Sequence, residues 1–143
     1  MYEANGGLDR IVGSKVERVQ MDSDYLAFHT DKGVFGFTVE GDCCSYSYFW
    51  DLIGYDKLVA GPVVSVADVS LEDPPPDEQS YVTEAYGFEI VTDHPEFGEV
   101  TTVLSFRNDS NGYYGGWMYP LDDGVPESVP FIAGDVLETA ADR

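Results

Sequence analysis

Two cysteines stand side by side in "DCCSYSYFW", Asp42 to Trp50, and with two histidines, His29 and His94, they are the chain's only thiol or imidazole ligands and its strongest nucleophiles. Adjacent residues of a strand point to opposite faces, and zinc sites normally space their thiolates by two to four residues, so Cys43 and Cys44 are poorly placed to share an ion. A disulfide between neighbours would close a strained ring and would need an oxidising compartment. A reactive thiol would need a neighbouring cation or imidazole, and none is close in sequence. The reading that remains foremost is packing: free cysteine behaves as a small apolar residue, and at least one of the pair is expected in the core at the end of a hairpin.

Other chemistries fare no better. No G-x-S-x-G turn offers a nucleophile, "DSNGYYGG" lacks the lysine of a phosphate loop, and "LDDG" and "DSDYL" fall short of a calcium loop. Pairs of carboxylates capable of glycoside chemistry arise by chance among 27 acids. No catalytic residue, cofactor or metal is expected, and the chain reads as a non-enzyme.

The elements that would position any site are short and β-like. Of the 143 residues 14% are aromatic, a composition that suits half-buried pleated surfaces. A turn at Gly13 leads into a strand ending near Met21. "DYLAFHT" and "VFGFTVE" alternate on either side of "DKG", the clearest hairpin in the chain. Leu52, Ile53 and Leu58 fall at roughly helical spacing before Gly61-Pro62, which predicts one or two helical turns. Two long strands, Tyr81 to Thr92 and Glu99 to Arg107, flank "DHPEFG"; "NDSNG" then predicts a second hairpin into "YYGGWMYP". Glycines inside strands, at 36, 87, 115 and 116, suit bends or close backbone approach. The fold class expected is mainly β: a small antiparallel barrel or a strongly curved sheet of six or seven strands with one short helical segment, in a single domain over 1–120. Residues 121–143 read as an acidic, proline-containing extension, disordered or ending in a short helix capped by Asp135.

Charge is the most unusual bulk property. The chain carries 27 Asp and Glu against 7 Lys and Arg, a formal net charge of -20 at pH 7. Direct binding to nucleic acid is excluded on that ground, because it requires basic side chains to release counterions from phosphates. From Leu58 to Phe106 there is no basic residue at all, while Asp68, Glu72, Asp73, Asp77, Glu78, Glu84, Glu89, Asp93, Glu96 and Glu99 fall inside that interval. This is either a solvated acidic surface or an electronegative face for a basic partner. The aromatic sets Tyr46, Tyr48, Trp50 and Tyr113, Trp117, Tyr119 each fit one strand face, covering a core or anchoring a partner. No apolar run approaches the ~20 residues of a membrane span and no export signal opens the chain, so a cytoplasmic, membrane-free protein is expected.

The order and spacing of "IVGSKVERVQ", "DYLAFHTDKGVFGFTVEGDCCSYSYF", "DLIG", "LVAGPVVSVADV" and "SNGYY" resembles a family of small β-rich domains of unknown function found in phages and in bacteria carrying them. The family's marks fall on Gly13, Asp42, Cys43, Cys44, Leu52, Ile53, Gly54, Ser110, Asn111, Gly112, Tyr113 and Tyr114, and the resemblance runs from about Ile11 to Tyr119. "TTVLSFRND" stands where members often carry a more basic, tryptophan-bearing strand. The resemblance implies no activity; it implies a phage-type accessory protein of the bacterial host's cytoplasm that binds a protein. Joined to the acidity, it points to a partner with a basic nucleic-acid-binding surface, as for a DNA mimic or anti-defence inhibitor. Glu72, Asp73, Asp77, Glu78, Glu84, Glu89, Tyr113, Tyr114 and Trp117 are the candidate contacts. The alternative is a domain binding a small molecule or nucleotide signal in an aromatic pocket around the Tyr113–Tyr119 strand and His29.

Overall fold

Alternation of large apolar and polar residues dictates strands, and a computed structural model, which describes residues 4–75, 82–112 and 114–139, contains eight of them. An irregular 3-10 segment (Ala4–Ile11) leads to β1 (Val16–Met21), β2 (Tyr25–Thr30), β3 (Gly33–Gly41) and β4 (Tyr46–Ile53). One helical turn, α1 (Tyr55–Leu58), precedes β5 (Val63–Ser70), β6 (Val82–His94), β7 (Gly98–Ser110) and β8 (Gly116–Leu121). They form two antiparallel sheets of order β1-β2-β3-β8 and β4-β7-β6-β5.

The expected barrel of six or seven strands is therefore corrected to eight strands in two separate sheets, with no closed barrel. The short helical segment is present, but Leu52 and Ile53 belong to β4, and only Leu58 of the expected helical trio is helical. The first hairpin stands as expected, β2 pairing β3 around Asp31-Lys32 with Gly33 at φ +127°. The second does not. β7 is flanked on both sides by β4 and β6, so it has no free edge, and β8 crosses to the other sheet to pair with β3.

Both sheets contribute to one core. Val19, Leu26, Phe28, Phe37 and Met118 from the first meet Phe49, Leu52, Phe88, Ile90, Leu104 and Phe106 from the second, all nearly or fully buried. Phe28 meets Phe37 edge-on at 5.9 Å, and Phe106 stacks between Tyr86 at 4.7 Å and Phe88 at 6.0 Å. Each such side chain contributes about 1.5–3 kcal/mol by leaving water, which is what holds the sheets together.

The residues after β8 are part of this structure through Thr139 and include no helix among those described. They run along the outer edges of β1 and β4, with bridges Gln20–Phe131 and Leu52–Val136. Asp135 does act as a cap, but on α1: its Oδ1 accepts hydrogen bonds from Gly54 N at 2.9 Å and Tyr55 N at 2.8 Å. No helix among the described residues is long and apolar enough to cross a membrane.

Candidate functional site

The chain passes between the sheets at two neighbouring points, from β3 to β4 through Asp42–Ser45 and from β7 to β8 after Ser110. Gly41 pairs with Gly116 and Tyr46 with Asp109, so the two crossings lie side by side. A polar hub joins them. Asn108, fully buried, accepts from Ser47 Oγ at 2.7 Å and donates through Nδ2 to Tyr114 O at 2.9 Å. Asp42 N donates to Gly115 O at 3.1 Å, and Ser45 Oγ to Asp42 O at 2.7 Å. Glycine is required at the paired positions for a packing reason: a Cβ on Gly41 would run into Ser45 Oγ and lie 2.6 Å from Asn108 Oδ1, and one on Gly116 would strike Ser47 Oγ.

This junction overturns the expectation for the cysteines. Crossing between sheets in four residues takes the chain out of strand conformation, Cys44 adopts φ +71°, and both thiols are exposed with their Sγ atoms 3.2 Å apart. Neither is in the core. The hydrogen bond and charge of Cys43 push the Cys44 thiol above its ordinary value. His29 and His94 sit elsewhere: His29 Nε2 meets Gln20 Oε1 at 2.6 Å, and His94 Nδ1 accepts from Glu96 N in the β6–β7 turn. Among the described residues no three His, Cys, Asp or Glu side chains are grouped to hold a metal ion.

Beside the junction a cleft of 260 Å³ opens between the sheets, with Tyr86, Phe88, Phe106, Trp117, Met118 and Asp68 on its walls. Tyr86 Oη receives Gly116 N at 3.3 Å; burial raises its pKa, and the charges of Glu84 and Asp73 add to that. Trp117 Nε1 is buried with no hydrogen-bond partner among the described residues. His29 does not reach this cleft. It lines a separate cavity of 520 Å³ with Gln20, Asp122, Asp123 and Phe131, so the single pocket expected around His29 and the Trp117 strand is two.

The expected family marks Asp42, Cys43, Cys44 and Tyr114 converge at the junction, while Asn111 and Gly112 form the neighbouring turn, Gly112 at φ +101° with its N–H on Ser110 Oγ. The chain belongs to the DUF7448 family. The model of that family, a domain of unknown function, matches residues 9–119. No curated protein and no solved structure matches the chain. Within this DUF7448 domain the residues that sequence reasoning passed over are Ser47, Tyr86 and Asn108; the one signal that pointed to them was the pair of glycines at 115 and 116, which mark where they crowd the backbone.

Of the acidic candidates that are described, two lie on the second sheet of the DUF7448 domain and two just beyond its β5 strand. Glu72 and Asp73 are exposed just after β5, Asp73 Oδ1 accepting from Ala85 N at 2.9 Å, and Glu84 and Glu89 are half-buried on β6. Asp77, Glu78 and Tyr113 lie outside the described residues. Tyr46, Tyr48 and Trp50 form a ladder with ring spacings of 5.5 and 6.0 Å, capped by the Arg107 guanidinium 3.8 Å over the Trp50 ring.

Proposed function

We propose that this DUF7448 protein is a non-enzymatic, phage-type accessory protein that binds a protein partner through an acidic face, competing with nucleic acid for the partner's basic surface. One observation carries the reading. The base-free interval from Leu58 to Phe106 supplies β5, β6 and most of β7, three adjacent strands of one sheet, which brings its carboxylates together on one element of the fold. Within that interval Asp68, Glu72, Asp73, Asp93, Glu96 and Glu99 are exposed, Asp68 at the cleft and the others on the strands or the segments that join them. A field of one sign steers an oppositely charged partner and is screened by salt.

The test is capture of host proteins on the immobilised chain, followed by elution with salt or with duplex DNA. Bound protein is expected to be released by both, and the triple variant Glu72→Lys, Glu89→Lys, Glu96→Lys to capture at least roughly tenfold less. Capture indifferent to salt, to DNA and to the charge reversals would refute the reading.

A second reading rests on Trp117 Nε1, a buried donor with no acceptor among the described residues, beside an aromatic cleft. A ring-bearing ligand with a hydrogen-bond acceptor would satisfy it. Asp68 in the wall and the charges of Glu84 and Asp73 on Tyr86 disfavour phosphates, so a nucleobase or nucleoside fits better than a nucleotide. Such a ligand must raise the melting temperature, since it binds only the folded state. Flat thermal shifts across nucleobases, nucleosides and nucleotides would remove this reading and leave the first untouched.

A further inference from the structure

The two thiols have no role in either reading, yet their placement is specific. Neighbouring cysteines on a strand would point apart; here the left-handed backbone at Cys44 turns both sulfurs to the same side, exposed and 3.2 Å apart. The turn that holds them is tied at both ends, by Ser45 N and Oγ to Asp42 O and by Asp42 N to Gly115 O. No third ligand is grouped with them among the described residues, so a metal ion would find two donors where it needs more. Two thiols in contact, accessible to solvent and close to bonding distance, are suited to exchange with each other.

We propose that Cys43 and Cys44 form a reversible two-electron redox site, oxidised to an intramolecular disulfide by small-molecule disulfides. One thiolate attacks a sulfur of the small disulfide, forming a mixed disulfide and expelling the first small thiolate. The neighbouring thiolate then attacks the protein's sulfur in that mixed disulfide, the new Sγ–Sγ bond forms, and the second small thiolate leaves. The protein loses two electrons and two protons; the small disulfide gains both and departs as two thiols. When Cys43 is the sulfur capped first, the hydrogen bond and charge that hold the Cys44 thiol up are removed, which favours the second step.

The bond so formed joins residues whose Cα atoms stand about 3.8 Å apart across one peptide, short of the usual range for disulfides. Strained and exposed disulfides are the readily reduced ones, so the site reverses easily. Charge selects the reactant: with Asp42 adjacent and a net charge of -20, a cationic disulfide approaches more readily than an anionic one.

The experiment treats the native, full-length chain at neutral pH with cystamine or with glutathione disulfide and follows intact mass. The expected product is the protein lighter by two hydrogens, with no adduct retained and full return on dithiothreitol. Cys43→Ser and Cys44→Ser should each keep one mixed-disulfide adduct. Cystamine should react roughly tenfold faster at low salt, the advantage shrinking as salt rises. A stable adduct on the unsubstituted chain, or thiols that react only after denaturation, would overturn the proposal; equal rates for the two reagents would overturn its charge selectivity.

Discussion

Between the outer edges of β5 and β8 the opening is filled by side chains, whereas between β1 and β4 it is spanned by main chain. At the first, Leu8 and Ile11 are fully buried, and the backbone at Asn5, Gly6 and Gly7 takes three successive positive φ angles, 55°, 62° and 80°, to seat them. At the second, residues 129–139 exchange hydrogen bonds with both sheets: Met21 N to Pro130 O at 3.0 Å, Ile132 N to Val19 O at 2.9 Å, and a reciprocal pair between Leu52 and Val136 at 2.9 and 3.0 Å. Only Val129 and Thr139 are buried on that side, while Phe131 and Leu137 stay 44% and 67% exposed. One terminal segment closes chiefly by apolar burial, which scales with area, beside a reciprocal backbone pair between Gly13-Ser14 and Val63; the other closes chiefly by backbone pairing, which is nearly blind to side-chain identity. The consequence is that point substitutions should hurt the first closure far more than the second.

Leu8→Ala gives the largest effect, a loss of about 2–5 kcal/mol of stability from a fully buried site, read as a lower urea midpoint. A loss no greater than that of the exposed Leu137→Ala would erase the distinction. Gly6→Ala comes next, at about 1–3 kcal/mol, because its φ is +62° and the new Cβ would lie 2.8 Å from Met118 Cε. Gly124→Ala is its control, with φ +77° but open space around the Cβ, and should cost less.

On the strap side Asp135→Ala should cost about 1 kcal/mol, since it removes a charge-assisted acceptor from Gly54 N and Tyr55 N. Amide exchange should quicken at those two positions while Leu8 and Ile11 are unchanged; a uniform acceleration would mean that the strap carries the whole fold.

The smallest effect is the pH response of the His29 cluster, where the imidazole packs 4.9 Å from Phe131 and the Arg18 guanidinium lies 4.1 Å over the same ring. Burial, then the Arg18 charge, lowers the His29 pKa from 6.5, although Asp122, Asp123 and Glu127 line the same cavity. Between the folded value and 6.5 the unfolded chain binds the extra proton. Stability is therefore unaffected above 6.5 and declines as pH falls through that window. The difference between the unsubstituted chain and His29→Asn isolates the contribution; a difference that is flat with pH would contradict it.

Several elements were legible because their determinants are local. "DKG" between alternating runs sets the β2–β3 hairpin, and the long alternating segments around "DHPEFG" set β6 and β7. Asn111-Gly112 was legible as a turn but not as a crossing, because the sequence does not record that both neighbours of β7 are taken. The cysteines failed for a related reason: alternation assigns faces only where the chain stays a strand, and four residues between sheets cannot. Asn108 and Tyr86, at the centre of the junction, carry no local mark, since their partners Tyr114 and Gly116 come from other points of the chain.

By itself the sequence determined the β character, the turns, the charge and the family, since these depend on residue type and near-neighbour spacing. Tertiary structure alone decided that the base-free interval becomes three adjacent strands of one sheet, that the strands divide into two sheets, and that two thiols meet in solvent. Each of those depends on which strand edges remain free, a property of the assembled sheets and of no single segment.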